Sequence, residues 1–383
     1  MTSKPGTNQS PRLEGDSAIS IAVVIPCYRV RAKVLSVLQR IGPEVSAVYA
    51  VDDACPEHSG AFIRENCKDA RLRVLVHEVN LGVGGATMTG YRAAAEDGMS
   101  IIVKIDGDGQ MDPALLPYFV APILRGEADY TKGNRFYDPG DAKSMPAFRL
   151  IGNSALSFFS KLSSGYWSVF DPTNGYTAIH ATIVKVLALD KINRRYFFES
   201  DMLFRLNLLR CRVVDIPMAA IYADEQSSLS IRRALVDFTI NHARNFTKRV
   251  FYAYFLRDFS IASLQLLFGI ALIVFGVCFG GWSWYLGSIT QTAASSGTVM
   301  LSGLPIILGF QLLLSFLSFD VMNQPVSVVH RRLEAVIKSR RRDESLLAYN
   351  QVNARENQRE PDPVVRGRSL QEYDETNQRN DHH

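Results

Sequence analysis

The stretch IIVKIDGDGQMDP, Ile101 to Pro113, runs four apolar strand positions, Ile101 to Val103 and Ile105, straight into Asp106, Asp108 and Gln110. Asp106 and Asp108 stand two apart, so an extended backbone projects them to the same side. Gly107 and Gly109 permit the sharp turn that brings Gln110 beside them. Oxygen donors grouped this way hold a hard divalent cation, Mg²⁺ or Mn²⁺. Such ions commonly bridge a protein carboxylate to substrate phosphates, which makes a nucleotide diphosphate the natural ligand. Taken alone, the same residues also suit an Asx-rich turn that binds no metal.

Around this stretch short β-branched runs, Ile19 to Ile25, Ala47 to Val51, Arg73 to His77 and Ile101 to Ile105, alternate with segments of helical spacing. Those segments are Val34 to Ile41, Ser59 to Lys68 and Gly84 to Gly98. The βαβ alternation predicts an α/β fold with a mostly parallel central sheet, which binds ligands at the carboxyl ends of its strands. Two of those ends carry PCYRV, from Pro26, and the paired Asp52 and Asp53. An aspartate there can accept from a base or ribose, or cap the helix that follows near Glu57. Next comes NLGVGGA, with Asn80, Gly82, Gly84 and Gly85, whose glycines are expected to let backbone pass close to a nucleotide. The stretch has neither P-loop nor GxGxxG spacing, so an ATPase and a dinucleotide fold are not supported.

PCY, DDA, NLGVGGA, DGDGQ and KGNR occur in the order and spacing of glycosyltransferase family 2, and from Ile19 to about Asp224 the chain resembles that family's polyprenyl-phosphate glycosyltransferases. The resemblance implies a GT-A type domain for nucleotide-diphospho-sugars. It also implies that Pro26, Tyr28, Asp52 and Asp53 line the nucleoside pocket, with Asn80 and Gly82 beside the donor, and that Asp106, Asp108 and Gln110 hold the metal and the donor diphosphate. Arg29 and Val30 stand where the family pattern has Asn and Glu, and Ala54 and Cys55 where it has Gly and Ser. The family sets a GxR arginine and a second one fourteen residues later against the acceptor phosphate. Arg135 in KGNR and Arg149 in AFRLIGN match that spacing, with Lys132 adding charge. The physical need is clear: a lipid monophosphate, with a second pKa near about 6, arrives mostly as a dianion and must approach a diphosphate. A cation and two guanidinium forks offset the repulsion. By the same resemblance Asp171, in VFDPTNGYTAIH, stands near the reacting centre as base or orienter, or caps its turn. Glu199 and Asp201, in RRYFFESDML, take donor hydroxyls, orient arginines or serve as a helix N-terminal acidic pair.

Charge placement divides the rest of the chain. Between Phe259 and His330, 72 residues carry one charged side chain, Asp320. Within them Ile261 to Phe279 and Leu301 to Phe319 are 19-residue apolar runs, each long enough for about 28 Å of hydrocarbon. The expected organisation is a disordered tail over 1–18, the transferase domain over 19–224, amphipathic juxtamembrane helices over 225–258, a two-helix transmembrane hairpin over 259–330 and a charged, partly disordered tail over 331–383. Arg232, Arg233, Arg244, Lys248, Arg249 and Arg257, interleaved with aromatics, predict helix lying on an anionic membrane surface. The linker Ser288 to Thr298 is uncharged while Arg and Lys flank the outer ends of both spans. That predicts an integral membrane protein with its catalytic domain and both termini on the cytoplasmic face. Five cysteines without a CxxC pair predict free thiols in a reducing compartment. A formal charge of only +4 gives no basis for nucleic acid binding.

The resemblance thus implies inverting transfer of a hexose-type sugar from a UDP- or GDP-linked donor to undecaprenyl or dolichyl phosphate. The alternatives are a membrane-anchored transferase acting on a lipid-linked oligosaccharide, against which no QxxRW-like segment appears, and a catalytically dead membrane scaffold. Homo-oligomerisation has only a small hint, Gly276 and Gly280 at GxxxG spacing in the first span.

Overall fold

β1 (Ile21–Cys27) and β2 (Ala47–Asp52) are buried along their whole length, as uninterrupted apolar runs must be when helices cover both faces of a sheet. The computed structural model describes residues 19–137, 147–219, 231–337 and 339, without the side chains of 147–151, 153 and 231–235. It forms two units, 1–330 and 331–383; in the second, 331–337 are helical.

β3 (Leu72–Val76) and β4 (Ile101–Lys104) complete the four strands legible in the sequence, with α1 (Val34–Gln39), α2 (Ser59–Asn66) and α3 (Gly82–Glu96) between them. Three further strands, β5 (Tyr130–Asn134), β6 (Thr177–His180) and β7 (Val213–Pro217), extend the sheet to the order β3-β2-β1-β4-β6-β5-β7. β6 runs antiparallel to both β4 and β5, and the remaining pairs are parallel. The sheet is therefore mixed on its β6 side. α4 (Leu116–Leu124) covers that half, α5 (Ala147–Ser164) follows β5, α6 (Ala181–Val186) follows β6, and α7 (Phe198–Leu208) precedes β7.

Register aligns a polar row across the sheet: Lys104 of β4 pairs with Thr177 of β6, Thr177 with Lys132 of β5, and Lys132 with Asp215 of β7. Paired positions share a face. Two lysines thus enter the interior on the same side, both fully buried.

α8 (Ile231–Phe251) and a π turn, Tyr252–Arg257, lead into α9 (Ile261–Thr290) and α10 (Ser296–Met322). Both helices exceed the predicted spans, so the linker shrinks to the residues between Thr290 and Ser296. In their most apolar windows only 22% and 11% of residues are buried, which separates them from core helices of a soluble protein. They pack on small residues: a Cβ on Gly276 would lie 2.7 Å from the Ser302 carbonyl, and one on Gly280 3.0 Å from the Ser302 side chain. The GxxxG face therefore packs against α10 of the same chain.

The basic stretch before the membrane is not uniformly a surface face. Arg249 is 3% exposed and donates to Asp320 of α10 from Nη1 at 2.7 Å and Nη2 at 2.9 Å. Tyr254 and Trp167 donate to the same carboxylate at 2.6 and 3.0 Å. The reason is electrostatic: a carboxylate in a membrane helix needs a partner, and Arg249 is the cation within reach. Arg232 and Arg233 have no described side chains, and Arg340 to Arg342 lie outside the described residues.

Candidate active site

At the end of β4 the chain leaves the sheet with Asp106 and Asp108 partly exposed and Gly107 buried between them. Asp108 Oδ1 accepts from the Gln110 amide at 3.0 Å, so the GDGQ turn closes on itself. Asp106 Oδ1 lies 2.7 Å from the ammonium of Lys104, which stands 3.8 Å from Glu199. Burial works against charge on Lys104, yet Asp106 and Glu199 together hold its pKa above the ordinary lysine value. Burial raises Glu199. Burial also pushes Lys132 down to about 8 and Asp215 up to about 6.

The turn Asp171 to Gly175 joins this edge to Arg135. A Cβ on Gly175 would fall 2.5 Å from Lys104 Nζ and 2.6 Å from Asp106 Oδ2, so this turn touches the aspartate directly. Asn174 accepts at its carbonyl from Lys132. Asp171, fully buried, accepts from Arg135 Nε at 2.7 Å and Nη2 at 3.0 Å, a bidentate fork. Its burial would raise the pKa, but the Arg135 hydrogen bonds and charge hold it below the usual carboxylate range. A carboxylate so engaged is a poor base. Asp171 orients Arg135, whose side chain remains about one-third exposed.

Several expected site residues stand elsewhere for physical reasons. Asp52 accepts from the amides of Cys55 and Gly60 and fixes the start of α2. Asp53 accepts from Leu81 N at 2.8 Å, Gly82 N at 2.7 Å and His77 Nδ1 at 2.8 Å. Both carboxylates are buried and accept from backbone amides, so the capping alternative is met by these contacts. Asn80 braces the same loop through the Asp53 carbonyl. The glycines pass close to protein backbone. Gly82, at φ +86°, would set a Cβ 2.5 Å from the Arg194 carbonyl, and Gly84 faces the Asn193 carbonyl. Asp201 accepts from Asn193 N, Arg205 Nε and Asn245 Nδ2, tying α7 to α8 and holding an arginine, as one of its expected roles has it. Lys132 is fully buried. Pro26 is buried in β1, whereas Tyr28 is 43% exposed beside the edge. Arg149 lies in the first turn of α5, and its side chain is outside the described residues.

Lys104 was not foreseen as part of the site. The signal was present: a lysine in the run IIVKID interrupts an otherwise apolar strand, and a charge in such a place must be paired. Among the described residues no three His, Cys, Asp or Glu side chains gather as a metal cage. That suits an ion held by one or two carboxylates together with substrate phosphates. The donor set of Asp106, Asp108 and the Gln110 carbonyl oxygen at an accessible strand end fits such an ion.

The sequence model described as Glycosyl transferase family 2 matches residues 22–187. The UDP-N-acetylglucosamine–dolichyl-phosphate N-acetylglucosaminyltransferase of Methanococcus voltae is 28% identical over 218 residues, 53% of this chain and 86% of that protein. The undecaprenyl-phosphate mannosyltransferase of Micrococcus luteus is 30% identical over 202 residues, 52% of this chain and 82% of that protein. Among solved structures, glucosyl-3-phosphoglycerate synthase from Mycobacterium tuberculosis, in complex with Mn²⁺, UDP and glucosyl-3-phosphoglycerate, aligns at TM-score 0.46 and 18% identity. It covers 61% of this chain and 80% of that one.

Proposed function

The chain belongs to glycosyl transferase family 2, and from that premise we propose that it transfers a hexose-type sugar from a nucleoside-diphosphate donor to polyprenyl phosphate, making a polyprenyl-monophosphate sugar. One observation carries the reading: the turn Asp171 to Gly175 abuts Asp106 at one end and grips Arg135 at the other, so an anion-binding guanidinium and a diphosphate-binding edge share one short segment. The acceptor class is supported by the relatives' names. They differ in the sugar, N-acetylglucosamine against mannose, and agree on a polyprenyl-type lipid phosphate.

Asp106 and Asp108 with Gln110 would hold a divalent ion, Mg²⁺ or Mn²⁺, which supplies charge neutralisation for the departing nucleoside diphosphate. Lys104 pairs with Asp106 and holds it in place. Tyr28 and Pro26 lie on the side of the nucleoside. Arg135, with Arg149 assigned beside it, draws the lipid phosphate against the donor despite their like charges. A phosphate oxygen attacks the anomeric carbon as the diphosphate leaves from the opposite side, so configuration inverts. No proton has to be removed from an acceptor that already arrives as a dianion, and this agrees with an Asp171 that orients instead of acting as base.

In this reading α9 and α10 cross the bilayer, and the basic residues flanking the spans favour a cytoplasmic face for the catalytic domain and both chain ends. The test is to incubate purified protein with Mg²⁺ or Mn²⁺, a short polyprenyl phosphate and a panel of labelled UDP- and GDP-sugars. Label passing into the organic phase, acid-labile as a glycosyl phosphate, is expected with one donor. No transfer from any donor by folded protein would leave a membrane scaffold as the reading.

A further inference from the structure

A second cleft, of about 590 Å³, opens between α7 and α8, and none of Lys104, Asp106, Asp108, Gln110 or Arg135 lines it. From α8 it takes Asn241, Arg244, Asn245 and Lys248, steps of three, one and three that put these side chains on one helical face. Lys191 and Arg205 close the opposite wall. Arg205 is committed to Asp201 and to the Lys191 carbonyl. Lys191, Arg244 and Lys248 are exposed and form no ion pair or side-chain hydrogen bond among the described residues. The nearby carboxylate, Asp201, is already neutralised by Arg205 and by the Asn193 and Asn245 donors. Cations left in this state around one hollow repel each other until an anion enters.

The other end of the cleft is apolar. Phe251, Tyr252 and Leu256 line it and are exposed, Leu256 at 64%, and Phe259 and Ile261 continue the exposed apolar surface into α9. A ligand matching both ends carries an anion on hydrocarbon, at the level where a membrane helix begins. We propose that this cleft is a binding site for an anionic phospholipid of the bilayer. The phosphodiester sits among Lys191, Arg244 and Lys248, and the glycerol and first acyl carbons lie over Phe251, Tyr252 and Leu256. Bound lipid would lock α8 against α7 and so fix the catalytic domain's height over the membrane.

The site is tested on the full chain by native mass spectrometry and by lipid exchange in nanodiscs, without donor or turnover. A failure of sugar transfer therefore leaves this result standing. Wild-type protein is expected to retain phosphatidylglycerol over phosphatidylcholine. The triple variant Lys191→Gln, Arg244→Gln, Lys248→Gln is expected to hold phosphatidylglycerol about 100-fold more weakly, at roughly fivefold per removed charge. The three positions are solvent-facing, and an unchanged melting profile serves as the folding control. Equal retention of both lipids by the wild type, or an undiminished phosphatidylglycerol adduct in the folded variant, overturns the proposal. A different result also overturns it, assigning the cleft to the acceptor: short polyprenyl phosphate displaces phosphatidylglycerol, and the variant loses transfer to that short acceptor. If inorganic phosphate at equal concentration displaces the lipid fully, the cleft is a plain anion site and the lipid reading fails.

Discussion

Two of the groups of buried charge among the described residues are completed differently. At the membrane joint one carboxylate, Asp320, receives four donors: both terminal nitrogens of Arg249, the Tyr254 hydroxyl and the Trp167 indole. At the sheet edge, Lys104 is near Asp106 and Glu199 but has no well-aligned hydrogen bond, and Asp215 Oδ1 has none either. A carboxylate with all its acceptor sites taken has no capacity left for a ligand and serves to hold. An under-satisfied cluster at the mouth of a sheet is higher in energy when empty and gains when ligand oxygens or a cation arrive. The joint's orphan is a nitrogen, Arg249 Nε, beside a carboxylate that is fully taken up, whereas the sheet edge leaves a carboxylate oxygen and the ammonium short.

The joint breaks most expensively. Arg249→Met alone leaves Asp320 buried without its cation and should lower stability by about 3–5 kcal/mol, read from thermal unfolding in detergent. The double variant Arg249→Met, Asp320→Leu should recover most of that loss, because it removes both charges together. If the double variant is as unstable as the single, the joint contributes more than charge pairing.

At the sheet edge the expected loss is catalytic. Asp108→Ala should reduce transfer by about 10²–10³-fold or more while the melting temperature stays within a few degrees. Arg135→Lys, which keeps the charge but cannot form the fork on Asp171, should cost about tenfold in kcat/KM for the lipid phosphate. An equal loss in kcat at saturating acceptor would instead place Arg135 on the leaving group.

Smaller effects sharpen the comparison. Gly82→Ala combines a positive φ with a clash against the Arg194 carbonyl and should destabilise by about 1–3 kcal/mol. The pH dependence of Lys132 is modest but has a definite sign. Its folded pKa of about 8 lies below the unfolded value of 10.5, so between those limits the unfolded chain holds more protons. Stability should rise with pH from about 8 to 10.5 through this group, and Lys132→Met should flatten that slope.

How much was legible in the sequence follows the same division. β1 to β4 and the two membrane helices were readable because burial on both faces, or in lipid, demands unbroken apolar runs. β5 to β7 were not named, since YTKGN and VVDIP carry the buried charge of the site within the strands themselves, and polar residues mask a strand pattern. The DxD turn was found by its spacing. For Asp52, Asp53 and Asp201 the sequence left capping, orienting and ligand contact open together, because a carboxylate in each role is the same letter; the amides and the Arg205 guanidinium around them supply the bracing contacts. Arg249 was read as a surface charge for a similar reason: its partner, Asp320, lies 71 residues away in sequence.

The most direct test of the central claim is Mn²⁺ binding followed by electron paramagnetic resonance, with and without UDP or GDP, in the wild type and in Asp108→Asn. Loss of the free Mn²⁺ signal that requires both nucleoside diphosphate and the wild-type aspartate is the predicted result. Nucleotide binding of equal strength without metal, unchanged by Asp108→Asn, would contradict it.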